Sequence, residues 1–435
     1  MIYPYIIIVI IVHLFLSFKK PLWGLCCLLS IKMLIPDIVR APFLPVSLNS
    51  FCSLSLFAIW LHPISRYKAN YGRYEKRLIN YLILLIGLSV VVFVFTDVDI
   101  STQMTLSMQY FALQILPVIV AASVIDNKDD LMLVLKIFMF SSLICMSYGL
   151  FCFFTGIPYP YNEIFGKAYS VARDADYESI ITASMAGIIG RIMGTATSDT
   201  WSYGMIICIL FTLFFCIHKY LNNRFSFLCV VLAAVSTILT VRRTPLMVMF
   251  SFIIIFFFLN KTRFYYIIRY FIGGLLGVAV VLLIFPQLYE LYHIFETVFF
   301  FWDDSVAAKN DVTGSSLEYR LFQLNYTLNQ ISLSSLFGNG WGAMYYHGKH
   351  AVMNGWESML FTSLMQFGVI GFAIWMGWFR CLYRYSIIYA SKRSLHIAFM
   401  VSALVLCFVN DTIYPFFIFF GCVLLNKMDR FLLKS

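Results

Sequence analysis

Glu357, in the stretch NGWESML, stands at the threshold of the apolar run MLFTSLMQFGVIGFAIWMGWF. A carboxylate there either caps a helix, where the dipole favours it by roughly 0.3 to 1 kcal/mol, or acts as a base on an attacking hydroxyl. Arg242 and Arg243, in TVRRTP, separate two apolar runs with almost no loop between them. Each guanidinium presents a planar fork of donors that matches phosphate oxygens bidentately, although arginines at a membrane boundary also reach lipid headgroups. Arg191, in GIIGRIMGTATSDTWSYG, precedes a further apolar run, as a loop arginine or as another anion contact. His347 and His350, in YYHGKHAVM, have no third ligand at suitable spacing, so no metal site is expected.

Membrane helices must position these residues. The chain has 435 residues, 61% hydrophobic and 12% charged, with a mean hydropathy of +0.85. Soluble domains carry about 25% charged residues, so this composition excludes them and predicts an all-α polytopic membrane protein. Apolar runs predict spans near 3–18, 22–36, 45–61, 80–96, 106–124, 131–154, 201–217, 225–241, 245–260, 266–285, 359–379, 395–410 and 413–426, about 12 to 13 helices in one integral membrane domain over 1–435. The first run lacks a basic flank and reads as a membrane helix, not a signal peptide. All eleven cysteines fall in or beside apolar runs, which argues against disulfides.

The net charge of +10 is a matter of sidedness, not of nucleic acid. Assigning alternate loops to one side, starting at Lys19-Lys20, collects 20 of the 31 Lys and Arg there, against 9 on the other side. The positive-inside rule makes the first side cytoplasmic, with the N-terminus out and the C-terminus in. Two long loops, 155–200 and 286–358, then lie outside, and loops of that length are commonly functional. In the second, Ser315 and Glu318 have capping-box spacing, and Arg320, Leu321, Leu324, Leu328 and Ile331 follow at helical spacing, which predicts an amphipathic helix. The segment SLFGNGWGAM ends it in turns permitted by Gly338, Gly340 and Gly342. Beyond, Glu357, Phe361, Leu364 and Gly368 are expected on one helix face. Gly273 and Gly277 form a GxxxG expected to pack within the chain.

Three stretches carry a resemblance: RIMGTATSDTWSYG, TILTVRRTPLMVMF, and EYRLFQLNYTLNQISLSSLFGNGWG followed by NGWESMLFTSLMQFGVIGF. Over roughly residues 190–375 the chain resembles the superfamily of O-antigen polymerases and ligases, bacterial membrane glycosyltransferases. The ligase branch has a histidine, then Asn, Ser or Gln, nine residues and G-x-x-G. Here Glu357-Ser358 stands eleven residues before Gly368-Val369-Ile370-Gly371, with glutamate in the histidine's place, as is familiar in the repeat-unit polymerases.

The resemblance implies a GT-C-like architecture in the bacterial inner membrane. It implies transfer of a growing glycan from undecaprenyl diphosphate to the non-reducing end of a new lipid-linked repeat unit at the periplasmic face. On it, Glu357 is the catalytic base or acceptor-positioning residue, and Arg191, Arg242, Arg243 and Arg320 clamp the leaving diphosphate. His350, Trp356 and Tyr319 are candidates for acceptor or sugar contacts. No cofactor or divalent metal is expected, and the partners are the lipid-linked oligosaccharide and the bilayer, with room for a chain-length regulator. An O-antigen ligase that transfers to lipid A core is the alternative. A flippase is a rival of another class, disfavoured because Lys32 and Lys136 are the clearest charges within spans and no repeat of hydropathy is apparent.

Overall fold

The computed structural model describes residues 2–37, 39–40, 46–62, 73–93, 99–155, 157, 159–170, 192–197, 200–240, 242–260, 317–330, 336–341, 358–409 and 415–433. Among the described residues the chain is almost entirely helical, with one isolated bridge between Arg40 and Ser47. The helices are α1 (Ile2–Lys19), α2 (Pro21–Leu34), α3 (Leu48–Leu61), α4 (Arg73–Val92), α5 (Ile100–Tyr110), α6 (Leu116–Val124), α7 (Lys128–Thr155), α8 (Pro160–Ser170), α9 (Thr200–Leu221), α10 (Arg224–Leu239), α11 (Arg243–Leu259), α12 (Leu317–Gln330), α13 (Met359–Ile387), α14 (Arg393–Val409) and α15 (Phe416–Leu432). A five-residue π-helix, Phe111–Ile115, joins α5 to α6.

Apolar runs become helices because lipid offers no partner to backbone N–H and C=O groups, which must pair within their own segment. Polar side chains mark several starts: Ser47 accepts from Ser50 N, Asp99 from Thr102 N and Asn223 from Ser226 N. Four helical stretches, Ile100–Val124, Lys128–Thr155, Ser202–Leu221 and Met359–Ile387, are long and apolar enough to cross a membrane, and shorter apolar helices accompany them. Large apolar side chains, Phe15, Phe18, Ile254 and Phe258 among them, point outward, as a lipid-facing surface requires. The chain is an all-α membrane protein.

α15 lies inside the bundle, its residues Phe416 to Asp429 all buried, packed against α6, α7, α9, α13 and α14. Its first ten residues, Phe416 to Leu425, are apolar on every side and are stable only when surrounded in this way. At one end of the bundle, Lys20 Nζ pairs with Asp130 Oδ1 at 2.8 Å, and Asp130 N donates to Asn127 Oδ1 at the start of α7. His396 Nε2 there lies 2.6 Å from Asp429 Oδ2, and Ser391 donates to Asp429 Oδ1. This is the end that the charge distribution assigns to the cytoplasm.

Several element boundaries differ from expectation, among them the end of α15, at Leu432 and not near 426. α4 begins at Arg73 and not near residue 80, α5 begins at Ile100 and not near 106, and α13 runs to Ile387 and not to 379. A hydropathy window stops at the first polar cluster, whereas Lys, Arg, Glu and Gln are good helix formers that let the backbone continue. The expected continuous helix face of Phe361, Leu364 and Gly368 is also corrected, because the helical geometry of α13 is interrupted at Gly368, while Glu357 lies outside the described residues. The expected span 266–285, the GxxxG pair Gly273 and Gly277, and most of the loops 155–200 and 286–358 lie outside the described residues.

Candidate functional site

Gly368 has φ of 65° and ψ of −168°, a left-handed backbone that breaks α13 ten residues after Ser358. The break leaves carbonyls of the preceding turn without helical partners, and the turn at 336–341 supplies them. Asn339 N donates to Met365 O at 2.8 Å, and Gly340 N donates to Gln366 O at 3.0 Å. Gly338, at φ 77°, lies so close that an added Cβ would sit 2.5 Å from Gln366 O and collide with the backbone N of Gly368. Trp341 anchors the other end of the turn. Its Nε1 donates to Ser89 Oγ on α4 at 2.9 Å, and its ring packs edge-on against Phe367 at 4.7 Å between centroids. Tyr110 and Phe111 flank it at 5.1 and 5.8 Å.

Phe111 opens the π-helix, in which Leu116 N reaches back to Phe111 O. Pro117 follows, and because proline has no N–H, Leu113 O loses the donor four residues on. Lys32, half-buried in α2, donates Nζ to that carbonyl at 3.1 Å and lies 4.4 Å above the Phe416 ring. Gln114 Oε1 accepts from Phe416 N at 2.8 Å, which secures the start of α15. Lys136, the other charge expected within a span, is exposed.

Met33 O accepts from Thr195 Oγ1 at 2.6 Å, and Asp37 N donates to Ala196 O at 3.2 Å. Residues 192–197 thus form a buried, non-helical segment laid across the end of α2. Asn162 of α8 holds it by donating to Gly194 O and Thr197 O at 3.0 and 2.7 Å. Met193 N donates to the hydroxyl of Tyr159 at 3.1 Å, and burial pushes that phenol above its usual range, so it stays neutral. Ile192 N reaches Leu239 O at 3.4 Å, at the end of α10.

That bond brings together two of the three stretches singled out in the sequence, because Ile192 follows Arg191 and Leu239 lies three residues before Arg242. Arg242 is the half-buried N-cap residue of α11 and Arg243 is its first residue. Tyr319 and Arg320 lie in the first turn of α12. α12 packs on α13, with Tyr326 and Phe361 both against Met365. Glu357, Arg191, His347, His350 and Trp356 lie outside the described residues. Ser358, directly after Glu357, is 2% exposed and its carbonyl accepts from both Thr362 N and Thr362 Oγ1.

No family model matches the chain, and no curated protein matches it. Sequence reasoning missed the part played by Pro117, Lys32, Gln114 and Asn162 at this end of the bundle. One signal was present, a proline four residues after Leu113 inside an apolar run. The others are single polar residues whose partners are 32 to 302 positions away and leave no local pattern.

Proposed function

We propose that the protein is a polysaccharide repeat-unit polymerase that transfers a glycan from undecaprenyl diphosphate to a second lipid-linked repeat unit on the periplasmic side of the bacterial inner membrane. The observation that carries the reading is the bond from Ile192 N to Leu239 O, which ties the Arg191 stretch to the turn bearing Arg242 and Arg243. Glu357 directly precedes Ser358, the N-cap residue of α13, and α13 is the helix on whose break the turn is docked.

In this mechanism Glu357 accepts the proton of the acceptor hydroxyl as its oxygen attacks the anomeric carbon. The bond from that carbon to the diphosphate oxygen breaks, and Arg191, Arg242, Arg243 and Arg320 stabilise the two charges that develop on the departing lipid diphosphate. Donors placed where charge develops lower the barrier selectively, and a positioned base supplies about 10² to 10⁴-fold. Guanidinium groups neutralise the leaving group directly, so chelators are expected to leave the rate unchanged.

The test is incubation of the purified protein in nanodiscs with its lipid-linked repeat unit alone, followed by separation of the products. A ladder of repeats, lowered about 10² to 10⁴-fold by Glu357→Gln, supports the reading. Folded protein that gives no ladder from the native repeat unit, but transfers glycan once lipid A core is added, overturns it in favour of a ligase.

A further inference from the structure

We propose that the opposite end of the bundle carries a binding pocket for the phosphate headgroup of an anionic membrane lipid, between α4 and α13. A cavity of about 470 Å³ opens there, within the range of roughly 300 to 1,000 Å³ usual for ligand pockets. Its walls come from one face of each helix. Arg77, Asn80, Tyr81 and Leu84 recur at helical spacing on α4, and Gly377, Arg380, Cys381 and Arg384 recur at the same spacing on α13. The extension of both helices beyond their apolar spans is what puts the three arginines on facing surfaces.

The local packing keeps the pocket open and its cations aimed. The Tyr81 ring lies against Gly377, where an added Cβ would come within 2.6 Å of it, so the absent side chain lets the helices cross closely above the cavity. Arg77 stacks over the Tyr74 ring at 5.8 Å. Cys381 Sγ contacts Tyr74 O at 4.0 Å and holds the base of the pocket. The ion pairs given by the described residues, Lys20 with Asp130 and His396 with Asp429, lie outside this pocket. Three guanidinium groups, two phenols and an amide around one cavity form a set of donors suited to phosphate oxygens, bidentate at each arginine. The pocket is open to the membrane boundary through exposed Leu84, which suits a ligand with an acyl chain. Basic pockets between membrane helices on the cytoplasmic side are a common form of headgroup site.

This pocket is distinct from the arginine turns at the other end and independent of the activity proposed there. The test uses full-length protein in detergent, native mass spectrometry and two lipids of equal chain length, phosphatidylglycerol and phosphatidylcholine, with inorganic phosphate as a soluble competitor. The wild type is expected to retain phosphatidylglycerol in preference. Each of Arg77→Gln, Arg380→Gln and Arg384→Gln is expected to weaken retention by about fivefold, the contribution of one basic residue near an anionic headgroup. A control variant, Arg224→Gln with Arg393→Gln at the same end, is expected to retain the lipid as the wild type does. Equal retention of both lipids, equal loss in the control, or unchanged retention in the three single variants overturns the proposal. Displacement of the lipid by inorganic phosphate, which then stabilises the protein to the same degree, assigns the pocket to a soluble phosphate and overturns the lipid reading.

Discussion

Lys32 takes the place of a hydrogen-bond donor that Pro117 cannot supply. An ionisable side chain within a membrane segment is costly, and here its ammonium is occupied by Leu113 O and the face of Phe416. Lys32→Met would take that hydrogen bond from Leu113 O, at a cost of about 1.5 to 3 kcal/mol for a bond from a charged donor. The expected result is a lower thermal midpoint in detergent, partly restored by Pro117→Ala, which returns an N–H four residues after Leu113. A Lys32→Met protein as stable as the wild type would remove this role. At this scale the sequence was informative about types and silent about partners. It singled out Arg242 and Arg243 because adjacent arginines in a short outer turn oppose the topology rule, but it gave Lys32 no role, since its partner is 81 residues away.

Between elements, the turn at 336–341 and the break in α13 behave as one unit. The glycines of SLFGNGWGAM announced turns, and Gly368 announced a small residue. Neither announced that Gly338 would press on Gly368, because that contact depends on the relative placement of two segments. Gly338→Ala forces a left-handed backbone on a residue with a Cβ, at about 1 to 2 kcal/mol, and adds a collision with the α13 backbone. The expected outcome is a larger loss of stability than Gly87→Ala produces, since a Cβ at Gly87 meets nothing within 4 Å. Equal midpoints for the two variants would show that the turn is not seated on the break. Helix ends were the least legible feature, since α4 and α13 continue through polar residues of high helix propensity and α5 begins at its Asp99 cap.

For the whole molecule, the charge count along the chain predicts which end faces the cytoplasm. The ends of α2, α10 and residues 192–197 share one pole, and Lys20, Asp130, Lys392 and Asp429 share the other. In intact spheroplasts, Ser101→Cys is expected to react with a membrane-impermeant maleimide and Arg393→Cys to react only after permeabilisation, both being exposed positions. The reverse pattern would invert the topology and place the candidate site on the cytoplasmic side. What the sequence determined by itself is the solvent: mean hydropathy, segment length and the burden of unpaired backbone groups in lipid fix an all-helical membrane chain before any contact is known. Tertiary structure alone decided what each polar residue meets. Lys32 and Leu113, Asn162 and the 192–197 segment, Gly338 and Gly368, and the three arginines of α4 and α13 are brought together by packing between distant segments. Local periodicity records which face of a helix is polar, and does not record which neighbour that face will find.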